Sequence, residues 1–270
     1  MIRAGRILLA TALVVWLTPG AAWAGALIEF PNVSEQAKPE RLLGYLARPD
    51  GPGPFPAVVV LHGCAGFFPG YATIADDLKS AGYAALAVDS LGPRGIADQC
   101  DVLFIEQAID AYAALKYLSR QSFVDSGRVA VLGYSMGGNS ALDDVQRGVL
   151  DDIFRGKFAA AIAYYPWCRG RSAIVYAPTL ILIGAADDWT PAEACRDLVG
   201  QPHGASAPVD LTVYPGAHHG FNFRELQPGI RRFGHWQEYN EPAATDAWGK
   251  VRAFLAANLG SGTADKPGAR

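Results

Sequence analysis

Six short apolar runs, rich in β-branched residues and bounded by glycine, proline or aspartate, recur along this chain with helical patterns between them. The runs are Pro56–Leu61 (PAVVVL), Tyr83–Val88 (YAALAV), Arg128–Gly133 (RVAVLG), Phe158–Tyr165 (FAAAIAYY), Thr179–Gly184 (TLILIG) and Val209–Tyr214 (VDLTVY). Runs this short and this continuously apolar read as strands buried on both faces. The helical patterns fall at Tyr71–Ala81, Asp101–Arg120, Gly138–Arg147, Ala192–Val199 and Ala243–Ala257. The second is the clearest, with Leu103, Ile105, Ala108, Tyr112, Leu115 and Leu118 near helical spacing. Strand and helix alternating without a long linker make an α/β chain: a mostly parallel twisted sheet covered by helices on both faces. Two weaker leading runs, Leu27–Phe30 and Leu42–Ala47, read as an antiparallel edge and bring the sheet to about eight strands. Ligands of such a sheet bind at the carboxyl ends of its strands.

Composition narrows what the ligand is. The 270 residues carry a net charge of −3, with no basic stripe and no acidic block. That balance excludes a nucleic-acid binder or a polybasic membrane binder. Half of the residues are hydrophobic and 18% are charged, which excludes disorder as the main state. A compact protein handling a small molecule is expected.

The first 24 residues read as an export signal. Arg3 and Arg6 precede an apolar run from Ile7 to Leu17, and Thr18, Pro19 and Gly20 break any helix before Ala22-Trp23-Ala24. Cleavage is expected after Ala24, giving a periplasmic or secreted protein free of the membrane. An uncleaved anchor is the alternative, although 11 apolar residues fall short of the roughly 20 needed to span a bilayer. One domain is expected from Gly25 to Leu259, followed by a small, polar, disordered tail at 260–270. In an oxidising compartment the four cysteines, Cys64, Cys100, Cys168 and Cys195, read as disulfides rather than a zinc site, since no C-x-x-C is present.

Four strand ends carry the chemistry. Gly133-Tyr134-Ser135-Met136-Gly137 is a G-x-S-x-G pentad between a buried strand and a helix, the setting of a nucleophile elbow. His62-Gly63-Cys64-Ala65-Gly66 follows PAVVVL, where an oxyanion-hole loop is expected. The backbone N–H groups of Cys64 and Met136 are the candidate donors, and His62 reads as a structural member of the turn. After TLILIG come Asp187 and Asp188; Asp187 is preferred as the acid, leaving Asp188 to face solvent or cap the next helix. After the last strand come His218 and His219. His219 is preferred because it directly precedes Gly-Phe, with His218 at the loop surface. His203 and His235 read as ordinary surface or loop residues.

The order Ser135, Asp187, His219 is that of the α/β-hydrolase fold. LHGCAGF, DSLGPRG, GYSMGG, GAADDWTP and YPGAHHGFNF together resemble the dienelactone hydrolase family, from about Arg41 to Leu255. The chain departs from dienelactone hydrolase itself in having Ser135 for the nucleophilic cysteine, Gly63 for a glutamate in the oxyanion loop, and an export signal where that enzyme is cytosolic. The resemblance implies a hydrolase of small esters or lactones working through an acyl-enzyme, with no metal or organic cofactor. It puts Arg94 near an arginine that holds a substrate carboxylate, structural pairing of Arg94 with an acid being the alternative. The fold makes neighbours of the loops that carry the cysteines and so implies the pairs Cys64–Cys100 and Cys168–Cys195. The loops around Trp167, Trp189 and Phe221 to Tyr239 are expected to shape the pocket. Peptide hydrolysis, or non-catalytic binding on the same fold, are the other readings.

Overall fold

The structure is a computed structural model that describes residues 25–33, 38–101, 106–148, 150–202, 204 and 206–260. The export segment, the last ten residues and His203 lie outside the described residues. Eight strands form the main sheet: β1 (Ala26–Pro31), β2 (Arg41–Ala47), β3 (Phe55–Leu61), β4 (Ala84–Asp89), β5 (Val124–Tyr134), β6 (Ala160–Tyr164), β7 (Thr179–Gly184) and β8 (Val209–Tyr214). Their spatial order is β1-β2-β4-β3-β5-β6-β7-β8. β1 and β2 are the antiparallel edge, β2 pairs antiparallel with β4, and every later pair is parallel.

Side chains of β3 show why its sequence is apolar throughout. Val58 and Val60 enter one core, while Phe55, Ala57, Val59 and Leu61 enter the other. A strand alternates its side chains across the sheet, so a strand covered on both faces needs apolar residues at every position. The first core is closed by α1 (Pro69–Ser80), α4 (Ala192–Val199) and α5 (Glu241–Leu259), through Leu78, Leu198, Val251 and Leu255. The second is closed by α2 (Glu106–Leu118) and α3 (Met136–Val145), through Leu115, Ala141 and Val145.

α4 starts at Ala192 as expected, while α1, α3 and α5 each start two residues earlier than the sequence pattern. α1 opens at Pro69, whose fixed φ and missing N–H suit a first turn. α5 opens at Glu241 because the Asn240 side chain accepts the Ala243 N–H at 3.1 Å. Of the expected helix Asp101–Arg120, residues 102–105 lie outside the described residues. A further element was not anticipated: a hairpin of β9 (Ile230–Arg232) and β10 (His235–Gln237), joined by Phe233 (φ 50°) and Gly234 (φ 83°). Two consecutive residues with positive φ make the tight turn whose twist matches a hairpin.

The parallel register aligns strand ends: Leu61 lies opposite Gly133, Tyr134 opposite Tyr164, and Gly184 opposite Tyr214. The loops carrying the motif residues therefore emerge side by side. Cys64 is bonded to Cys100 and Cys168 to Cys195. Among the described residues no helix is long and apolar enough to cross a membrane.

Candidate active site

Ser135 sits between β5 and α3 with φ 53°, a left-handed conformation costing a non-glycine residue about 1–3 kcal/mol. Its neighbours make that turn possible. A Cβ on Gly133 would run into the Gly137 carbonyl, and one on Gly137 into the Leu61 carbonyl. Backbone bonds hold the turn: Ser135 N–H donates to Tyr164 O at 2.9 Å, and Asn139 N–H to Ser135 O at 2.9 Å. The side chain projects above the sheet to His219, with 2.9 Å between Oγ and Nε2.

The other imidazole nitrogen meets Asp187, with Nδ1 2.9 Å from Oδ2. Both side chains are buried, and an ionised carboxylate only accepts, so Nδ1 carries the proton and Nε2 is left to accept from Ser135. The N–H groups of Trp189 (2.9 Å) and Thr190 (2.8 Å) donate to Asp187 Oδ1, and the Thr190 hydroxyl reaches Oδ2 at 2.9 Å. Burial pushes this carboxyl toward protonation. The facing His219 charge and the bonds from His219 and Thr190 together outweigh burial and hold its pKa below the usual range. Asp188 is elsewhere. It faces solvent as expected, does not cap α4, accepts the Trp236 N–H at 3.2 Å and lies 3.5 Å from His235 Nδ1. His235, half-buried, in turn stacks on Trp189, with ring centroids 5.0 Å apart. His218 is half-buried.

The loop after β3 can be accounted for atom by atom. His62 O accepts from Gln107 Nε2 at 3.0 Å, and Gly63 N–H donates to the Tyr71 hydroxyl at 2.8 Å. Gly63 O takes Gly66 N–H at 3.1 Å and His62 Nδ1 at 2.7 Å, while Cys64 O accepts Gln99 N–H at 2.8 Å. His62 is a structural member of the turn: its Nε2 accepts the Ser90 N–H at 3.0 Å, and burial lowers its pKa. The Cys64 N–H has no acceptor among the described residues, nor has the Ala65 N–H that follows it. Met136 N–H opens α3, where the first amides lack intrahelical acceptors.

Ser135 lies where two cavities meet. One, of about 470 Å³, is walled by Phe68, Tyr71, Phe223, Leu226 and the β9–β10 residues Ile230 and Phe233. The other, of about 400 Å³, carries Asn139, Asp143, Trp167 and Arg171. The hairpin therefore belongs to the site, and a backbone bridge between His219 and Gln237 ties it to the histidine loop. Arg94 lines neither cavity. Its guanidinium grips Asp110 bidentately at 2.7 and 2.9 Å, the pairing with an acid expected above as the alternative to a substrate role. Three contributors escaped the sequence reading: Thr190, Tyr71 and Gln107. Thr190 stands in the same DDWTP loop as Asp187 and could have been suspected; Tyr71 and Gln107 sit on helices and carry no local signal.

A serine hydroxyl on an imidazole that is itself held by a carboxylate can attack an acyl carbon. The comparisons with known proteins bear on which bonds are hydrolysed. A protein of Bradyrhizobium sp named "Probable 2-oxo-3-(5-oxofuran-2-ylidene)propanoate lactonase" is 25% identical over 241 residues, covering 80% of this chain and 89% of its own. The bis(hydroxyethyl) terephthalate hydrolase of Streptomyces coelicolor is 32% identical over 144 residues, 52% of this chain and 42% of that one. A Thermogutta terrifontis esterase of known structure superposes with a TM-score of 0.67 at 19% identity, covering 90% of this chain and 95% of that one, a likeness of fold. The sequence model of the dienelactone hydrolase family matches residues 42–259. The chain thus belongs to the dienelactone hydrolase family and is a hydrolase of ester bonds.

Proposed function

We propose that the protein is an exported serine hydrolase of small carboxylic esters or lactones, with Ser135 as nucleophile, His219 as general base and Asp187 as its orienting acid. The observation that carries this is the continuous hydrogen-bonded chain from Ser135 Oγ through the imidazole to Asp187, each link 2.9 Å. As Ser135 attacks the carbonyl carbon, its proton passes to His219 Nε2, and Asp187 stabilises the imidazolium. The Cys64 and Met136 N–H groups receive the developing oxyanion. The imidazolium then protonates the leaving alcohol, and water repeats the cycle on the acyl-enzyme to release the acid and restore Ser135. The aromatic walls of the larger cavity favour esters with an aromatic or apolar group, in keeping with the terephthalate ester named for one relative. Export, with one domain from Gly25 to Leu259, accords with two disulfides in a chain of this kind.

Fluorophosphonate labelling of the protein beside Ser135→Ala tests the proposal. Label at Ser135 in the wild type alone is expected; absence of label on folded protein points instead to non-catalytic binding. Ester turnover should exceed anilide turnover, since nothing resembling a peptide-selecting lid surrounds the cavities among the described residues. Removing any one triad member should lower kcat by about 10⁴-fold or more. Because a protonated imidazole cannot accept the serine proton, activity should be lost in acid. A flat profile down to about pH 4 contradicts a histidine base.

A further inference from the structure

We propose that the Cys64–Cys100 disulfide is a positioning element for the reaction, holding the Cys64 N–H where the oxyanion forms, so that turnover follows whether this bridge is closed. The proposal rests on the oxyanion role given to Cys64 above.

Within the loop that carries this amide, the internal bonds both fall on the Gly63 carbonyl, from Gly66 N–H and His62 Nδ1. Gly63 precedes Cys64, and Gly66 (φ 84°) follows closely. Glycine is the residue with the most backbone freedom to lose, so a donor set between glycines needs restraint from outside the loop. Cys64 receives that restraint twice from one neighbouring segment: its carbonyl takes the Gln99 N–H at 2.8 Å, and its sulfur is bonded to Cys100. These two anchors hold the residue whose own N–H has no protein acceptor among the described residues. Past Cys100 the chain leads into α2, from which Gln107 holds His62 O. Residues Cys64 and Cys100 also line both cavities, beside Ser135.

The second bridge is an internal contrast. Cys168 and Cys195 are 3% and 0% exposed and line neither cavity. They staple the loop after β6 to α4 and make no bond to the loop after β3. Cys100, by contrast, is only half-buried at the cavity wall, so a small dithiol reaches the first bridge before the second. Opening it needs two electrons and two protons; dithiothreitol supplies both and leaves as its own cyclic disulfide.

The decisive variant is Cys64→Ala/Cys100→Ala, which keeps the backbone N–H at position 64 and removes only the tether. An oxyanion donor displaced by about 1 Å costs up to roughly 100-fold. The expected result is a kcat lower by about 10- to 100-fold on a p-nitrophenyl ester, with KM within about twofold. Affinity for a boronic acid that forms a tetrahedral adduct on serine should fall in parallel. The Cys168→Ala/Cys195→Ala variant should keep wild-type kcat even where its Tm drops. Wild-type kcat in the Cys64/Cys100 variant, or equal loss in both variants, overturns the proposal. If the variant does not fold, the same measurement is made on wild type titrated with dithiothreitol, with thiols mapped by alkylation. Loss of kcat that tracks free Cys64 and Cys100 and returns on reoxidation supports the proposal, and full activity with both thiols free overturns it. Fluorophosphonate labelling of oxidised wild type separates the two levels: failure there strikes the serine-hydrolase proposal itself, whatever the bridge does.

Discussion

The Thr190 hydroxyl has one proton and two acceptors in reach, Asp187 Oδ2 at 2.9 Å and Tyr165 O at 3.1 Å, with the protonated His219 Nδ1 3.2 Å away. The shortest contact runs to the carboxylate, where a charge-assisted bond is strongest. Thr190→Val keeps the shape and deletes that bond, so kcat should drop about tenfold, the scale of a hydrogen bond to a charged group. Unchanged turnover would show that the two backbone N–H donors suffice to hold Asp187. Arg94 tests a different expectation. Removing it strands the fully buried Asp110 side chain, so Arg94→Ala should destabilise the fold by roughly 3–5 kcal/mol. It should leave the KM ratio between acidic and neutral esters unchanged; selective loss on acidic esters would restore the substrate role. At this scale the sequence was informative wherever a residue type and a strand end coincided, as at Ser135, Asp187 and His219. It was silent on Tyr71, because an aromatic residue on an amphipathic helix looks like core until the Gly63 N–H is found against its hydroxyl.

Among elements, the main strands were legible because burial on both faces writes an unbroken apolar run into the sequence. β9 and β10 were not, for the opposite reason. Each is three residues long, and Ile230, Arg231 and Arg232 are all exposed, so neither periodicity nor apolarity marks them. What holds the hairpin is tertiary: the bridge to His219, the Asp188 contacts and the Trp189 stack. Gly229 (φ 114°) lies at its base, where a Cβ would strike the Trp236 indole. Gly229→Ala should therefore displace the hairpin from the larger cavity. KM for an aromatic ester should rise by about tenfold, the scale of lost pocket contacts, while turnover of a small acetate changes little. Equal effects on both esters would mean that the hairpin is not a cavity wall.

For the molecule as a whole, two buried carboxyls pull stability in opposite directions with pH. Asp187 is held below the ordinary carboxylate range, so its contribution is full above that range and is lost as acid takes the pH through its depressed value. Asp144 is the reverse case. Both its oxygens are buried without a hydrogen-bond partner, and burial, with Asp143 nearby, raises its pKa well above normal. A raised carboxyl contributes fully at low pH and loses that contribution as the pH climbs toward its folded value. The wild type should therefore lose Tm as the pH rises above the ordinary carboxylate range, and Asp144→Asn should flatten that decline. An identical slope in the variant would show that Asp144 ionises freely in the folded protein.

Local chemistry was enough to determine the strand–helix alternation, the Gly133–Gly137 turn and which residue types stand at each strand end. Each of these depends on a few neighbouring residues: apolar side chains at every strand position, and glycines where a Cβ would meet backbone. Only the tertiary structure decided between partners far apart in the chain. It assigned Arg94 to Asp110, Asp188 to the hairpin, Gln107 to the oxyanion loop and the hairpin to the cavity wall. Such pairings depend on where helices and loops land once the sheet has aligned its strand ends, a property of packing that no short stretch of sequence encodes.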